Sequence, residues 1–261
     1  EHPDAQDGPE NKYAYALYLK REISVPKPLK SAFIRIAGLG YNILYINQKK
    51  YDGYVLDPPV SDYTKSVYYS TIDLTNYVEN NTLALVVVLG GGWYWMGTPE
   101  LFGFEKAPWT EPPRLLCEVE LEFEDGTQEL INSDEQWLYS KDGPIRFNCV
   151  RSGEIYDANK EIILKPLALS GPNNEHSQWH PVFIKNNISG ILRSRLMPPI
   201  RKRNLLFPVK MYVKNDKIVF WFPKNNAGWG RKKRRARRAA AGGPSRSGQR
   251  RDGGCARGPS C

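Results

Sequence analysis

The chain has 261 residues, 41% of them hydrophobic and 12% aromatic, with 37 Lys and Arg against 28 Asp and Glu for a net charge of +9. Length and apolar content suffice for one large or two small folded domains and exclude a disordered or collagen-like chain. Residues 230–261 hold eleven of the basic residues and one acidic residue, Asp252, which leaves 26 basic against 27 acidic in residues 1–229 and excludes a basic nucleic-acid footprint spread over the body.

Residues 1–13 are polar and predicted to be frayed, and the opening EHPDAQDGPE carries no secretory signal. A cytoplasmic protein and a secreted or periplasmic chain already trimmed of its leader are both compatible with that start. From Ala14 the apolar residues recur mostly at every second position, the strand signature. The pattern predicts strands over 15–25, 31–38, 41–48, 54–57, 66–74, 82–90, 113–123, 128–133 and 136–140. Strand 41–48 is apolar on both faces except for Asn42, its one candidate for sugar or calcium contact. Glu124-Asp125-Gly126-Thr127 reads as a two-residue hairpin turn, since Gly tolerates the positive φ of a primed turn. Asn47-Gln48 reads as a weaker turn, because Gln meets a steric cost there that Gly does not. Asp73–Glu79 is the only helix signal, a single turn capped by Asp73 or Thr75. The longest apolar run, LALVVVL at 83–89, falls far short of the roughly 20 residues of a membrane span.

Many short strands, regular turns and almost no helix predict an all-β, antiparallel, jelly-roll-like sandwich. Two further strands, within 208–213 and 217–223, read as an incomplete second β unit. The resulting division is a disordered start at 1–13, a β-sandwich accessory domain at 14–190, the opening of a second β domain at 191–229, and a basic low-complexity tail at 230–261. In that tail 23 of 32 residues are Arg, Gly, Ala or Pro, an abrupt change from the Asn-, Lys-, Ile- and Tyr-rich body, and it is predicted to be disordered and aberrant.

Few residues offer catalytic chemistry. Glu118, Glu120, Glu122 and Glu124 lie on one face of a strand, where four like charges require water. His176 and His180 have chelating spacing but fall in a loop with no third ligand, so no metal site is predicted. Cys117 and Cys149 have no CxxC spacing and read as free thiols, with Cys255 and Cys261 in the tail. Sequons begin at Asn80 and Asn187 and read as incidental. The run RKKRRARR at 231–238 has no interleaved aromatics, so its polyanion binding is nonspecific and salt-sensitive. LGGGWYW at 89–95 stands out instead. Its glycines permit close backbone approach, and the flat faces of Trp93 and Tyr94 could stack on a sugar ring, although a packed, structural Trp93 is the expected reading.

Taken together, GLGYNILYINQKK, VLDPPVSDYTKSVYYSTIDLT, LALVVVLGGGWY, EDGT, INSDEQWLYSKDGPI, RSGEIYDA and QWHPV resemble, in order, the N-terminal accessory region of bacterial α-L-rhamnosidases of glycoside hydrolase family 78. The resemblance covers most of residues 14–184, and KIVFWFPKNNAGWGR looks like the start of the family's next β domain. It implies an inverting glycosidase whose catalytic carboxylates lie on a downstream α/α barrel, where a general-acid Arg-Asp-Glu run is found. No Arg-Asp-Glu occurs here, so no catalytic residue is assigned. The implied function is a non-catalytic, carbohydrate-binding-like module, truncated before the barrel, with a rhamnose-containing oligosaccharide or the missing catalytic domain as partner. No specific nucleic acid and no membrane span are expected. Some such modules bind rhamnose with calcium through asparagines near the glycine loop. The family pattern there is Gly-Asn-Gly-Trp-Tyr, whereas this chain has Gly91 at the asparagine position and Val60 where an aromatic usually follows the Asp-Pro turn. The carbohydrate-binding candidates are Asn42, Trp93 and Tyr94; calcium is the one cofactor left open. Glycosidase activity through unrecognised residues and a tail-borne nucleic-acid function stand as the alternatives.

Overall fold

A computed structural model describes residues 15–96, 98–99, 101–164, 179–185, 188, 190–215 and 217–225. The predictions for the first residues, His176 and the basic tail fall outside them. The chain divides into two compact units, Glu1–Arg203 and Asn204–Cys261, so residues 191–203 belong to the first unit rather than to the second.

In the first unit the strands run β1 (Leu17–Ser24), β2 (Leu29–Leu39), β3 (Tyr41–Ile46), β4 (Lys49–Lys50), β5 (Ser66–Asp73), β6 (Thr82–Gly90), β7 (Arg114–Phe123), β8 (Gln128–Asn132), β9 (Leu138–Ser140), β10 (Ile145–Cys149), β11 (Gly153–Tyr156), β12 (His180–Pro181) and β13 (Ile191–Ser194). One sheet has the order β12-β9-β1-β6-β3-β4 and the other β13-β5-β2-β7-β8; β10 and β11 form a separate hairpin. The pairings are antiparallel except β13 on β5, which is parallel and closes one edge of the second sheet. The second unit contains the antiparallel hairpin β14 (Lys210–Lys214) and β15 (Lys217–Trp221). No described helix is long and apolar enough to cross a membrane.

Alternation explains the layers. On β2 the residues Ala32, Ile34 and Ile36 point inward, and on β7 Cys117, Val119, Leu121 and Phe123 do the same. They meet Leu83, Leu85, Val87 and Leu89 of β6 and Leu44 and Ile46 of β3 across the sandwich, with Trp137 wholly buried among them. β6 breaks the alternation, since Leu83 through Leu89 are all buried. Its other face carries Val86 and Val88, which pack with Ala16 and Tyr18 in a second cluster against Ile145 of β10 and Trp179. A strand covered on both faces must be apolar at every position, which is why LALVVVL reads as a continuous run.

The outer face of β7 is the solvated face its glutamates predicted, and it is neutralised by its neighbour. Arg35 on β2 bridges Glu118 and Glu120, both at 2.7 Å, and Lys30 meets Glu122 at 2.7 Å. Cys117 and Cys149 are both free. The short helical turn forms at Thr75–Tyr77, with Asp73 Oδ1 accepting the Thr75 N–H.

Three local expectations need correction. Residues 54–57 form no strand: Leu56 adopts φ 53° and Asp57 makes only an isolated bridge to Asn42. The β7–β8 turn is not the two-residue type. Gly126 N–H donates to Phe123 O and Phe123 N–H to Thr127 O, giving a three-residue loop with Gly126 at φ 81°. The two-residue primed turn is instead Asn47-Gln48, with φ 45° and 69° between the paired Ile46 and Lys49. Asn47 holds it in place: its side chain donates to Tyr77 O and accepts the Ala84 N–H, so tertiary bonds offset the strain at Gln48.

Candidate functional site

The glycine-rich loop leaves the end of β6 and runs beside the β2–β3 turn. A Cβ on Gly40, at φ 112°, would stand 2.1 Å from Gly90 O, and one on Gly91 would stand 2.2 Å from Trp95 O. The glycines therefore serve close approach between backbone segments of the chain itself. Asn148 of β10 accepts the Gly91 N–H at 2.9 Å, which fastens the loop to the outer hairpin.

Beyond the glycines the aromatic side chains separate into a buried set and a half-buried set. Tyr94 is 5% exposed and meets Tyr63 edge-on at 5.1 Å, in a cluster with Ala37, Leu39 and Val67. Burial raises the pKa of both phenols. Trp93 is half-buried, edge-on to Phe104 at 5.0 Å, and its carbonyl accepts the Trp109 indole N–H at 3.3 Å. Arg151 lies 5.8 Å from the Trp93 ring and 5.6 Å from that of exposed Phe102. Burial also raises Tyr41, whose phenol oxygen accepts a hydrogen bond from Trp93.

Asn42 lies on the inward face of β3, opposite Leu89 and 8% exposed. Its backbone N–H donates to Asp57 O at 2.7 Å, and its Nδ2 meets no acceptor among the described residues. Thus the structure places Trp93 beside Tyr41, the neighbour of Asn42, but sets Asn42 and Tyr94 beneath the surface. Calcium needs six to eight oxygens. Gly91 contributes no side chain, Asn148 Oδ1 already holds the Gly91 N–H, and among the described residues no three His, Cys, Asp or Glu converge. Among the described residues, no such set of side-chain ligands gathers at the loop.

A polar cluster that sequence reasoning missed stands behind Asn42. Asp57, 6% exposed, accepts hydrogen bonds from Ser70 Oγ at 2.7 and 2.9 Å and from Arg195 Nη1 at 2.7 Å. Arg195 also lies 4.2 Å from the Tyr54 ring. Burial raises the Asp57 pKa, against the opposing pull of Ser70 and the guanidinium. Arg195 follows β13, and the segment after it returns so that Ile200 O accepts the Val55 N–H. No local signal announces a pair separated by 138 residues.

The N-terminal domain of α-L-rhamnosidases, as a family, matches residues 27–204. The chain belongs to that family. An α-L-rhamnosidase of Formosa agariphila is 31% identical over 222 residues, covering 82% of this chain and 22% of that protein. Among solved structures, the α-L-rhamnosidase from Dictyoglumus thermophilum is 34% identical with a TM-score of 0.63, covering 76% of this chain and 21% of its own. The Streptomyces avermitilis α-L-rhamnosidase, complexed with L-rhamnose, is 28% identical with a TM-score of 0.66, covering 76% and 19%. The chain thus spans about a fifth of the length of these family members. The family's β-sandwich accounts for the two layers described above, and the predicted likeness to this region is borne out.

Proposed function

We propose that this region is a non-catalytic accessory module of an α-L-rhamnosidase-type glycoside hydrolase, holding a rhamnose-containing glycan near a catalytic domain. Family membership supports the enzyme class, and the L-rhamnose bound by the Streptomyces avermitilis relative supports the sugar. The observation that carries the reading is the half-buried Trp93, pinned by Trp109, Phe104 and the Gly91–Asn148 bond at one end of the sandwich. A ring already held in place loses little side-chain freedom when its flat face stacks on a sugar. Direct contact falls to Trp93, while Tyr94 and Asn42 support the loop and the neighbouring strand from beneath.

Calorimetric titration with L-rhamnose and with rhamnosyl oligosaccharides tests this. Trp93→Ala is expected to weaken binding about tenfold, the scale of one aromatic contact, whereas Tyr94→Phe leaves it unchanged. Absence of binding by the unaltered chain sinks the carbohydrate role. Turnover of an aryl α-L-rhamnoside that survives repurification sinks the non-catalytic one.

A further inference from the structure

Residues 191–203, the last segment of the first unit, carry five cations and no acidic residue, although residues 1–229 together are close to neutral. Two of the five are already neutralised, Arg195 by Asp57 and Lys202 by Asp52. Arg193, Arg201 and Arg203 are exposed, and among the described residues none of them has a carboxylate within ion-pair distance.

Of these three, Arg201 is held in place. Its guanidinium lies 5.9 Å from the Tyr54 ring, on which Arg195 also sits at 4.2 Å. Tyr54 is fixed by its hydroxyl, which donates to Thr71 O at 3.3 Å, and by Tyr51, edge-on at 5.4 Å. Burial pushes the Tyr51 phenol up to about 12, and the Arg201 charge pulls against that rise, which sets the guanidinium near both rings. Both rings are half-buried against the core. Two guanidiniums about one ring repel each other, and Asp57 answers only Arg195. A planar fork that is held on an aromatic ring and has no carboxylate of its own matches an incoming carboxylate bidentately.

The position favours a glycan as the source of that carboxylate. Segment 51–57 runs along β3, from the Tyr51 N–H on Leu44 O to the Asn42 N–H on Asp57 O. Tyr41, the residue before Asn42, accepts the Trp93 hydrogen bond, so the arginine and the aromatic loop adjoin one strand. Arg195 already stacks on Tyr54, which makes the ring a support for cations rather than a platform for nucleic-acid bases. We propose that Arg201, set on Tyr54, is a recognition site for the carboxylate of an acidic sugar, so that the module takes a rhamnose-containing glycan that also carries uronic acids. The proposal rests on the glycan-binding reading given above and names its substrate class.

Calorimetric titration of the whole chain tests it with two ligands. One is an oligosaccharide of alternating rhamnose and galacturonic acid; the other is the same oligosaccharide with its carboxyl groups reduced to neutral alcohols. The acidic form is expected to bind about fivefold more tightly, the scale of one partly exposed ion pair. Arg201→Gln should remove that preference and leave the affinity for the neutral form unchanged. Arg235→Gln, which takes the same charge from the basic tail, should leave the preference intact. Arg201 is exposed, so the melting temperature of each variant should match that of the unaltered chain. If Arg201→Gln melts lower, Arg201→Lys, which keeps the cation without the fork, gives the reading and should retain only part of the preference. Equal affinity for the two forms overturns the inference and leaves the sugar reading standing, whereas no binding of either form sinks both. A preference that survives Arg201→Gln, that both Gln variants lower equally, or that Arg201→Lys retains in full assigns it to nonspecific charge and overturns the inference. Displacement by polyglutamate of matched charge as readily as by the acidic oligosaccharide does the same.

Discussion

At the residue scale, the Asp57–Arg195 pair sets the most specific requirement. A carboxylate 6% exposed is tolerable because Ser70 and a guanidinium satisfy it. Removing one partner is far worse than removing both. Arg195→Met is expected to lower the free energy of unfolding by about 3–5 kcal/mol at pH 7, and adding Asp57→Asn should restore much of the loss. Burial already holds the Asp57 pKa above its ordinary value, so the folded state binds this proton more tightly than the unfolded state. The group's contribution is greatest below the ordinary carboxylate range and declines as pH rises through the raised value. Loss of Arg195 widens that shift, so the Arg195→Met deficit should be small in acid and grow towards neutrality. Urea unfolding of both proteins between pH 4 and pH 7 checks this; a deficit of constant size across that range means that the carboxylate is not its cause.

At the element scale, turns show where local reading succeeds and where it stops. Gly126 announces a turn by its type alone, and a turn forms, though with three residues. Gln48 sits at φ 69° for reasons invisible nearby: Asn47 is bonded to Tyr77 O and Ala84 N, 30 and 37 residues away. Gln48→Gly is therefore expected to stabilise the protein by up to about 1 kcal/mol, because the left-handed conformation no longer strains a side chain. Asn47→Ala is expected to destabilise it by about 2 kcal/mol through the loss of two buried hydrogen bonds. Thermal unfolding of the two variants should move in opposite directions. β7 from Cys117 to Phe123 and β2 from Ala32 to Ile36 were legible because their buried residues recur at every second position. β10 was not, since all five of its residues are partly buried and the alternation vanishes. β13 is exposed throughout and owes its existence to a pairing 125 residues distant. In the loop, Trp93 and Tyr94 were legible as a site of interest, but their different depths depend on Tyr63, Phe104 and Trp109, which composition does not reveal.

At the scale of the whole molecule, the first unit is closed by its last segment. β13 covers the edge of β5, Arg195 enters beside it, and Ile200 binds back to Val55. A chain ended at Gly190 would leave β5 as a bare edge and Asp57 without its cation. It is expected to elute as aggregate on size exclusion and to melt lower than the full chain; a monomer of unchanged stability would show that the closing segment is dispensable. The same arrangement has a consequence in time. A ribosome makes β5 well before β13, and through that interval the nascent sheet offers an open strand to any neighbour in a polysome. Only synthesis past Arg195 withdraws the offer, so translation speed through that interval governs how long each new chain can mispair.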